Sequence, residues 1–157
     1  MIMRREDIAQ PLSELAFEFF FWFSRFEYAL KENGYLKSLV DGTRAEPGWE
    51  KFVDHWQLKY VPSQEARRLL TAPPDRQIVL GGKLEWQPVG LADCVCDLAR
   101  IVRLVKTTRN NLFHGGKHGG AGWDDPKRTE ELLKNSMAIL EQLADLGGFQ
   151  ADYRQYY

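Results

Sequence analysis

Three stretches of this chain place apolar residues at alternating steps of four and three, the spacing of one face of an α-helix. Leu12, Leu15, Phe19, Trp22, Phe26 and Ala29 mark the first, over residues 8–33, and Phe20, Phe23 and Leu30 widen its stripe. Leu91, Val95, Leu98, Val102 and Val105 mark the second, from Gly90 to about Phe113. Leu132, Ile139, Leu143 and Leu146 mark the third, after Asp125. Long amphipathic helices must bury their apolar faces against one another, so the expected fold is all-α, an up-and-down bundle of four main helices. The remaining main helix is a shorter one carrying Trp49, Phe52, Val53, Trp56 and Tyr60.

Local punctuation agrees with these spans. Pro11 suits a first helical turn, and Asn33-Gly34 offers a left-handed stop. Asp125-Pro126 reads as an N-cap followed by a first-turn proline, and Gly147-Gly148 ends the last helix. Between the long helices, Gly42, Pro47 and Gly48 mark a loop. Ser63 can cap a short helix through Leu69 and Leu70 that Pro73-Pro74 breaks. The strings 77–80 and 83–86 flank Gly81-Gly82, which allows either a small hairpin or an irregular loop. Phe17 and Phe21 lie towards the other side of the first helix, which is therefore either central in the core or packed on another chain.

At 157 residues the chain fits one domain, residues 1–157, with one core. It is 44% hydrophobic and 27% charged, which excludes a disordered composition. The net charge of −1 means that any nucleic-acid-binding surface must be local. Arg4 and Arg5 run straight into Glu6 and Asp7, with no apolar stretch of a signal peptide. The run Phe19–Phe23 is far shorter than the roughly 20 residues of a spanning helix. Cys94 and Cys96 fall inside a helical pattern, where second neighbours do not face each other, and read as reduced packing residues. A cytoplasmic protein without membrane contact is expected.

One residue breaks the second series. The positions after Val105 are 109 and 112; Leu112 fits, whereas Arg109 puts a guanidinium on an apolar stripe. Such a charge is costly unless it is paired or opens into a crevice, and breaks of local consistency gather at functional sites. Glu27 interrupts the first helix in the same way, so Glu27 and Arg109 are expected to meet. Arg109 is followed by Asn110-Asn111-Leu112-Phe113-His114-Gly115-Gly116. At about 100° per residue, Asn110 and His114 stack on one helix face with Arg109 on its shoulder. The glycines then leave the imidazole at an open end. Arginine and asparagine can hold a phosphate, and histidine can move a proton near neutral pH.

Arg109-Asn110-Asn111-Leu112-Phe113-His114-Gly115-Gly116-Lys117 resembles the Arg-x4–6-His signature of the HEPN superfamily, closest to its Apea-like and related prokaryotic groups. The segment Phe23–Lys31 resembles the first helix of those proteins. The resemblance spans most of residues 8–147. It implies a HEPN-like bundle, with short helices or a small hairpin in the 60–90 region. It also implies a homodimer whose two motif helices face each other across a shared cleft, and RNA cleavage that uses no cofactor and no metal. Arg109, Asn110 and His114 fall on the catalytic positions, and Glu27 on a supporting acid.

Metal-free cleavage uses the 2′-hydroxyl as an internal nucleophile, leaving 2′,3′-cyclic phosphate and 5′-hydroxyl ends. The step needs a base, an acid and positive charge on the phosphorane, which two facing motifs supply more fully than one. Between residues 100 and 128, seven cations face Asp124 and Asp125 alone, and Lys106 and Lys117 are the candidates for following an RNA backbone. The expected setting is defence, stress response or a toxin–antitoxin pair, with an antitoxin or nucleotidyltransferase as a possible partner. The alternative is a non-catalytic HEPN module that dimerises, binds such a partner or binds a nucleotide. Gly115–Gly120 is a poor phosphate loop, because no strand precedes it and no Ser or Thr follows Lys117. His114 and His118 have a zinc-like spacing, but no third ligand accompanies them.

Overall fold

The three periodic stretches are helices, and two of them stop where their punctuation directs. The computed structural model describes residues 4–114 and 125–155. A 3-10 turn at Arg5–Asp7 precedes α1 (Gln10–Glu32), α2 (Trp49–Trp56) and α3 (Gln64–Thr71). Strands β1 (Asp75–Leu80) and β2 (Lys83–Pro88) follow, then α4 (Asp97–His114), α5 (Pro126–Gly147) and α6 (Gln150–Arg154). Among the described residues the architecture is mainly helical with one two-stranded sheet, built on the three long helices α1, α4 and α5 with the short α2 beside them.

Caps formed as expected. Asn33 closes α1 and Gly34 takes φ +84°, a left-handed value that suits glycine. The Ser63 hydroxyl accepts from the Ala66 amide at 3.1 Å, and the Asp125 carboxylate accepts from the Arg128 amide at 3.1 Å. Gly148, at φ +72°, turns the chain out of α5 and into α6, which the sequence pattern did not predict.

Buried side chains form one connected cluster. α5 packs on α1 and α3, α6 folds back on α1, and α4 lies against α2, α3 and α5. Aromatic rings carry the junction of α1, α2 and α6. Phe26, wholly buried, stacks on Trp49 at 4.8 Å and meets Phe52 and Phe149 edgewise or tilted at 5.7 and 5.4 Å. Loss of such a ring costs about 3–5 kcal/mol.

The start of α4 corrects the sequence reading. Gly90–Cys96 is irregular, so Leu91 and Val95 continue the four–three series only by coincidence, and Val95 is 85% exposed. Two arginines of α4 explain why the helix does not extend backwards. Arg103 donates to the Gly90 carbonyl at 2.7 Å and to both Asp93 oxygens at 2.6 and 2.9 Å. Arg100 donates to the Cys94 carbonyl and to Asp97. Cys94 and Cys96 therefore lie outside the helix; both are free thiols, and the Cys96 sulfur accepts from the Ala99 amide in the first turn.

The region left open between hairpin and loop is a hairpin. Gly81 and Gly82, at φ +57° and +75°, make its two-residue turn, and Gln77 faces Trp86 across the strands. The Asn111 side-chain amide donates to the Asp75 carbonyl at 2.6 Å, tying the hairpin to α4. Residues 37–46 form a loop pinched at its neck. Leu36 and Pro47 form a β-bridge, and the Gly48 amide donates to the Tyr35 carbonyl at 2.7 Å. A Cβ on Gly48 would lie 2.8 Å from the Leu36 carbonyl carbon, so only glycine fits this crossing. Among the described residues no helix is long and apolar enough to cross a membrane.

Candidate functional site

The second half of α4 has a core face and an open face. Leu104, Val105, Thr108, Asn111 and Leu112 are buried, with the Thr108 hydroxyl returned to the Leu104 carbonyl at 3.1 Å. Lys106, Arg109, Asn110, Phe113 and His114 occupy the remaining arc; Lys106 and Arg109 are half-buried, and Asn110 and His114 are exposed.

Lys106 and Arg109 line a cavity of about 480 Å³ between α1 and the pinched loop, shared with Lys31, Lys37 and Arg44 and with two acids, Glu27 and Glu46. Arg109 lies over the Phe23 ring at 5.1 Å, and the Lys106 ammonium stands 6.0 Å above Trp49. In both contacts it is the charged head that lies over the ring, at the lining of the cavity. Among the described residues none of these five cations is held in an ion pair.

Glu27 does not form the expected pair with Arg109. Its carboxylate accepts from the Trp49 indole N–H at 2.7 Å. The cause is packing: Trp49 stacks on Phe26, and a buried indole donor must find an acceptor. Glu27 remains in the cavity and still acts at a distance. Burial pushes the Lys106 ammonium below the ordinary lysine range, and the like charges of Lys37 and Arg109 push the same way. The Glu27 carboxylate opposes them.

Asn110 and His114 do share a face, as their spacing requires. They line a second cavity, of about 380 Å³, with Arg76, Gln77 and Trp86 from the hairpin. A third hollow, of about 490 Å³, lies between α2 and the connection preceding α4. It shares Lys106 with the first cavity and Asn110 with the second, so the three openings follow one another around α4. Arg109 and His114 are about 140° apart around the helix and roughly 7.5 Å apart along it. In a single chain they open into different cavities. Lys117, the other candidate for RNA contact, lies outside the described residues, as does His118.

Next to Arg109 the surface turns apolar. Phe113 is 68% exposed and meets Phe20 edge-on at 6.2 Å, while Phe17 and Phe21 of α1 also face outward. Among the described residues no three His, Cys, Asp or Glu side chains gather closely enough to hold a metal ion. Lys31, Lys37, Arg44, Arg76, Gln77 and Trp86 were not singled out in the sequence. Only Lys31 carried a signal, four residues after Glu27 on the same helix. The others sit on a loop and a hairpin whose docking no periodicity encodes. Comparison of the chain with protein-family models, with curated proteins and with solved structures finds no match.

Proposed function

We propose that this protein is a metal-independent endoribonuclease of the HEPN type, acting as a homodimer in the cytoplasm. The observation that carries the proposal is the open face of α4, where unpaired Lys106 and Arg109, exposed Asn110 and exposed His114 border three adjoining cavities. Cations without acid partners are available to a polyanion. An imidazole at a helix end is available to protons.

In the proposed reaction a base removes the proton of a 2′-hydroxyl, and that oxygen attacks the adjacent phosphorus. The P–O5′ bond breaks, and the departing oxygen takes a proton from an acid. The products are a 2′,3′-cyclic phosphate and a 5′-hydroxyl. His114 transfers protons, Arg109 grips the phosphoryl oxygens, and Asn110 orients one of the two. The 140° between Arg109 and His114 calls for a second subunit, so that Arg109 of one chain works beside His114 of the other. The exposed Phe17, Phe21 and Phe113 give such a pair an apolar contact next to the site. Glu27 supports the site through Trp49 and through the potential at Lys106. The biological setting is defence, stress response or a toxin–antitoxin pair.

A second reading is a HEPN-type binding module that holds a nucleotide or docks on a nucleotidyltransferase or antitoxin. The five-cation cavity favours its nucleotide form, since a cavity of that size and charge suits a phosphorylated small ligand. One experiment separates the two. Mixed single-stranded RNAs are incubated with purified protein in excess chelator, beside His114→Ala and Arg109→Ala. Cleavage by the wild type alone, leaving cyclic phosphate ends, is the expected result. Equal inertness of wild type and His114→Ala at high protein concentration transfers the weight to the binding module. Cutting of a strand whose 2′-hydroxyls are replaced by hydrogen rules out the mechanism.

A further inference from the structure

We infer that the cavity between the hairpin and the end of α4 is a subsite for one base of single-stranded RNA, with Trp86 as its stacking surface. The subsite deepens the proposed nuclease activity and rests on it for the identity of the polymer.

Its walls have the chemistry of base recognition. Gln77 and Trp86 are cross-strand partners in the hairpin register, so their side chains stand side by side on one face. Trp86 is half-buried, with the remainder of its side chain lining the cavity, and among the described residues its indole has neither a ring partner nor a hydrogen-bond partner. A tryptophan that serves only the core is normally covered on both faces. Gln77 and Asn110 are exposed carboxamides with no partner among the described residues, and each offers a donor and an acceptor. Arg76 adds a guanidinium at the rim, which stands in no ion pair among the described residues but lies within electrostatic reach of Asp93. Single-stranded RNA is read in this manner, by stacking on aromatic planes and by hydrogen bonds to splayed base edges.

Position makes the assignment specific. His114 lines the same cavity, so the base held there belongs to a nucleotide flanking the cut. The hydrogen bond from Asn111 to the Asp75 carbonyl fixes the distance between the hairpin and His114. The stacking surface and the proton-transfer group thus keep one geometry. An indole face gains more contact from a purine than from a pyrimidine, so a purine is the preferred occupant.

The test uses labelled RNA hexamers of adenosine and of uridine, with affinity read by fluorescence polarisation on His114→Ala protein. Trp86→Ala is expected to weaken adenosine-hexamer binding by on the order of 10-fold. Trp86→Phe should restore most of that loss, which a merely structural role in the hairpin would also permit. Gln77→Ala, which leaves the indole in place, should therefore shift the ratio of adenosine to uridine affinity. In the His114-intact protein, Trp86→Phe should keep the purine bias of the cut sites and Trp86→Ala should erase it. Unchanged affinity and unchanged cut sites in Trp86→Ala overturn the subsite while leaving the nuclease standing. Loss of binding in Trp86→Ala together with a shifted adenosine-to-uridine ratio in Gln77→Ala, in a protein that never cuts RNA, supports the subsite and removes the nuclease; an unshifted ratio in Gln77→Ala overturns the subsite. Failure of the parent protein to bind either hexamer overturns both.

Discussion

Arg100, Arg103, Lys106 and Arg109 follow one another at three-residue steps along α4, yet the two ends of the series live in different surroundings. Each step turns the side chain about 60° short of a full circle, so the row winds around the helix. Arg100 and Arg103 point to the start of α4 and the connection before it, where Asp97, Asp93 and two backbone carbonyls engage them. Lys106 and Arg109 arrive over aromatic rings, in a cavity with two acids, Glu46 and a Glu27 already bonded to an indole. The same residue types thus staple a loop at one end and, at the other, stand in no ion pair among the described residues. Charge at a position identifies neither task; the presence of a partner does.

That contrast can be broken from either end. At the ligand end, His114→Ala should lower RNA cleavage by about 10²–10⁴-fold, and Arg109→Ala by about 10²–10³-fold, with melting temperatures unchanged. Arg109→Lys should recover only part of that loss, because an ammonium cannot grip two oxygens at once. Next in size, Lys106→Gln should weaken single-strand binding and reduce the slope of log affinity against log salt by about 0.7, whereas Arg100→Gln should leave the slope alone. Equal slopes for the two variants would erase the distinction between the ends.

At the structural end, Arg103→Ala should leave cleavage intact and lower the melting temperature by no more than a few degrees. Its hydrogen bonds, aided by a backbone hydrogen bond and by the charge of Arg76, hold the Asp93 carboxyl down at about 2, against an ordinary value of 3.8. A carboxyl depressed in the folded state stabilises the fold fully above its unfolded value, and that contribution disappears as pH falls through the folded value. The gap between wild type and Arg103→Ala should therefore be complete at neutral pH, shrink below about pH 4 and, once pH has fallen through about 2, keep only the share due to the Gly90 carbonyl. The smallest effect is expected for Glu27→Gln, which keeps an acceptor for Trp49. Cleavage should stay within about threefold of wild type, the size of a modest electrostatic change at a partly open site.

The same two regions explain what the sequence disclosed. Helix faces and caps were legible because they depend on neighbours within four residues, as at Ser63, Asp125 and Asn33-Gly34. The beginning of α4 was not, because Leu91 and Val95 imitate the period while Arg103 holds their backbone in another shape. Among the candidate residues, Arg109 was legible as a charge on an apolar row and Asn110–His114 as a pair on one face. The partner of Glu27 was not legible. It depends on how α2 docks on α1, which brings Trp49 to the carboxylate ahead of any arginine. Trp86 and Gln77 were hidden for a similar reason: Asn111, read as part of a motif, turned out to be the anchor of their hairpin.

The crossing at Gly48, where Leu36 meets Pro47, makes residues 37–46 a cuff fastened at its base. A segment fastened this way tolerates changes of length cheaply, since doubling it costs only about 0.6 kcal/mol of closure entropy. Lys37 and Arg44 ride on the cuff, while Trp49 and Glu27 belong to the floor beneath it. If the proposed site binds an anion, its choice can thus be retailored in the cuff alone, with the floor and the helix behind it left as they are.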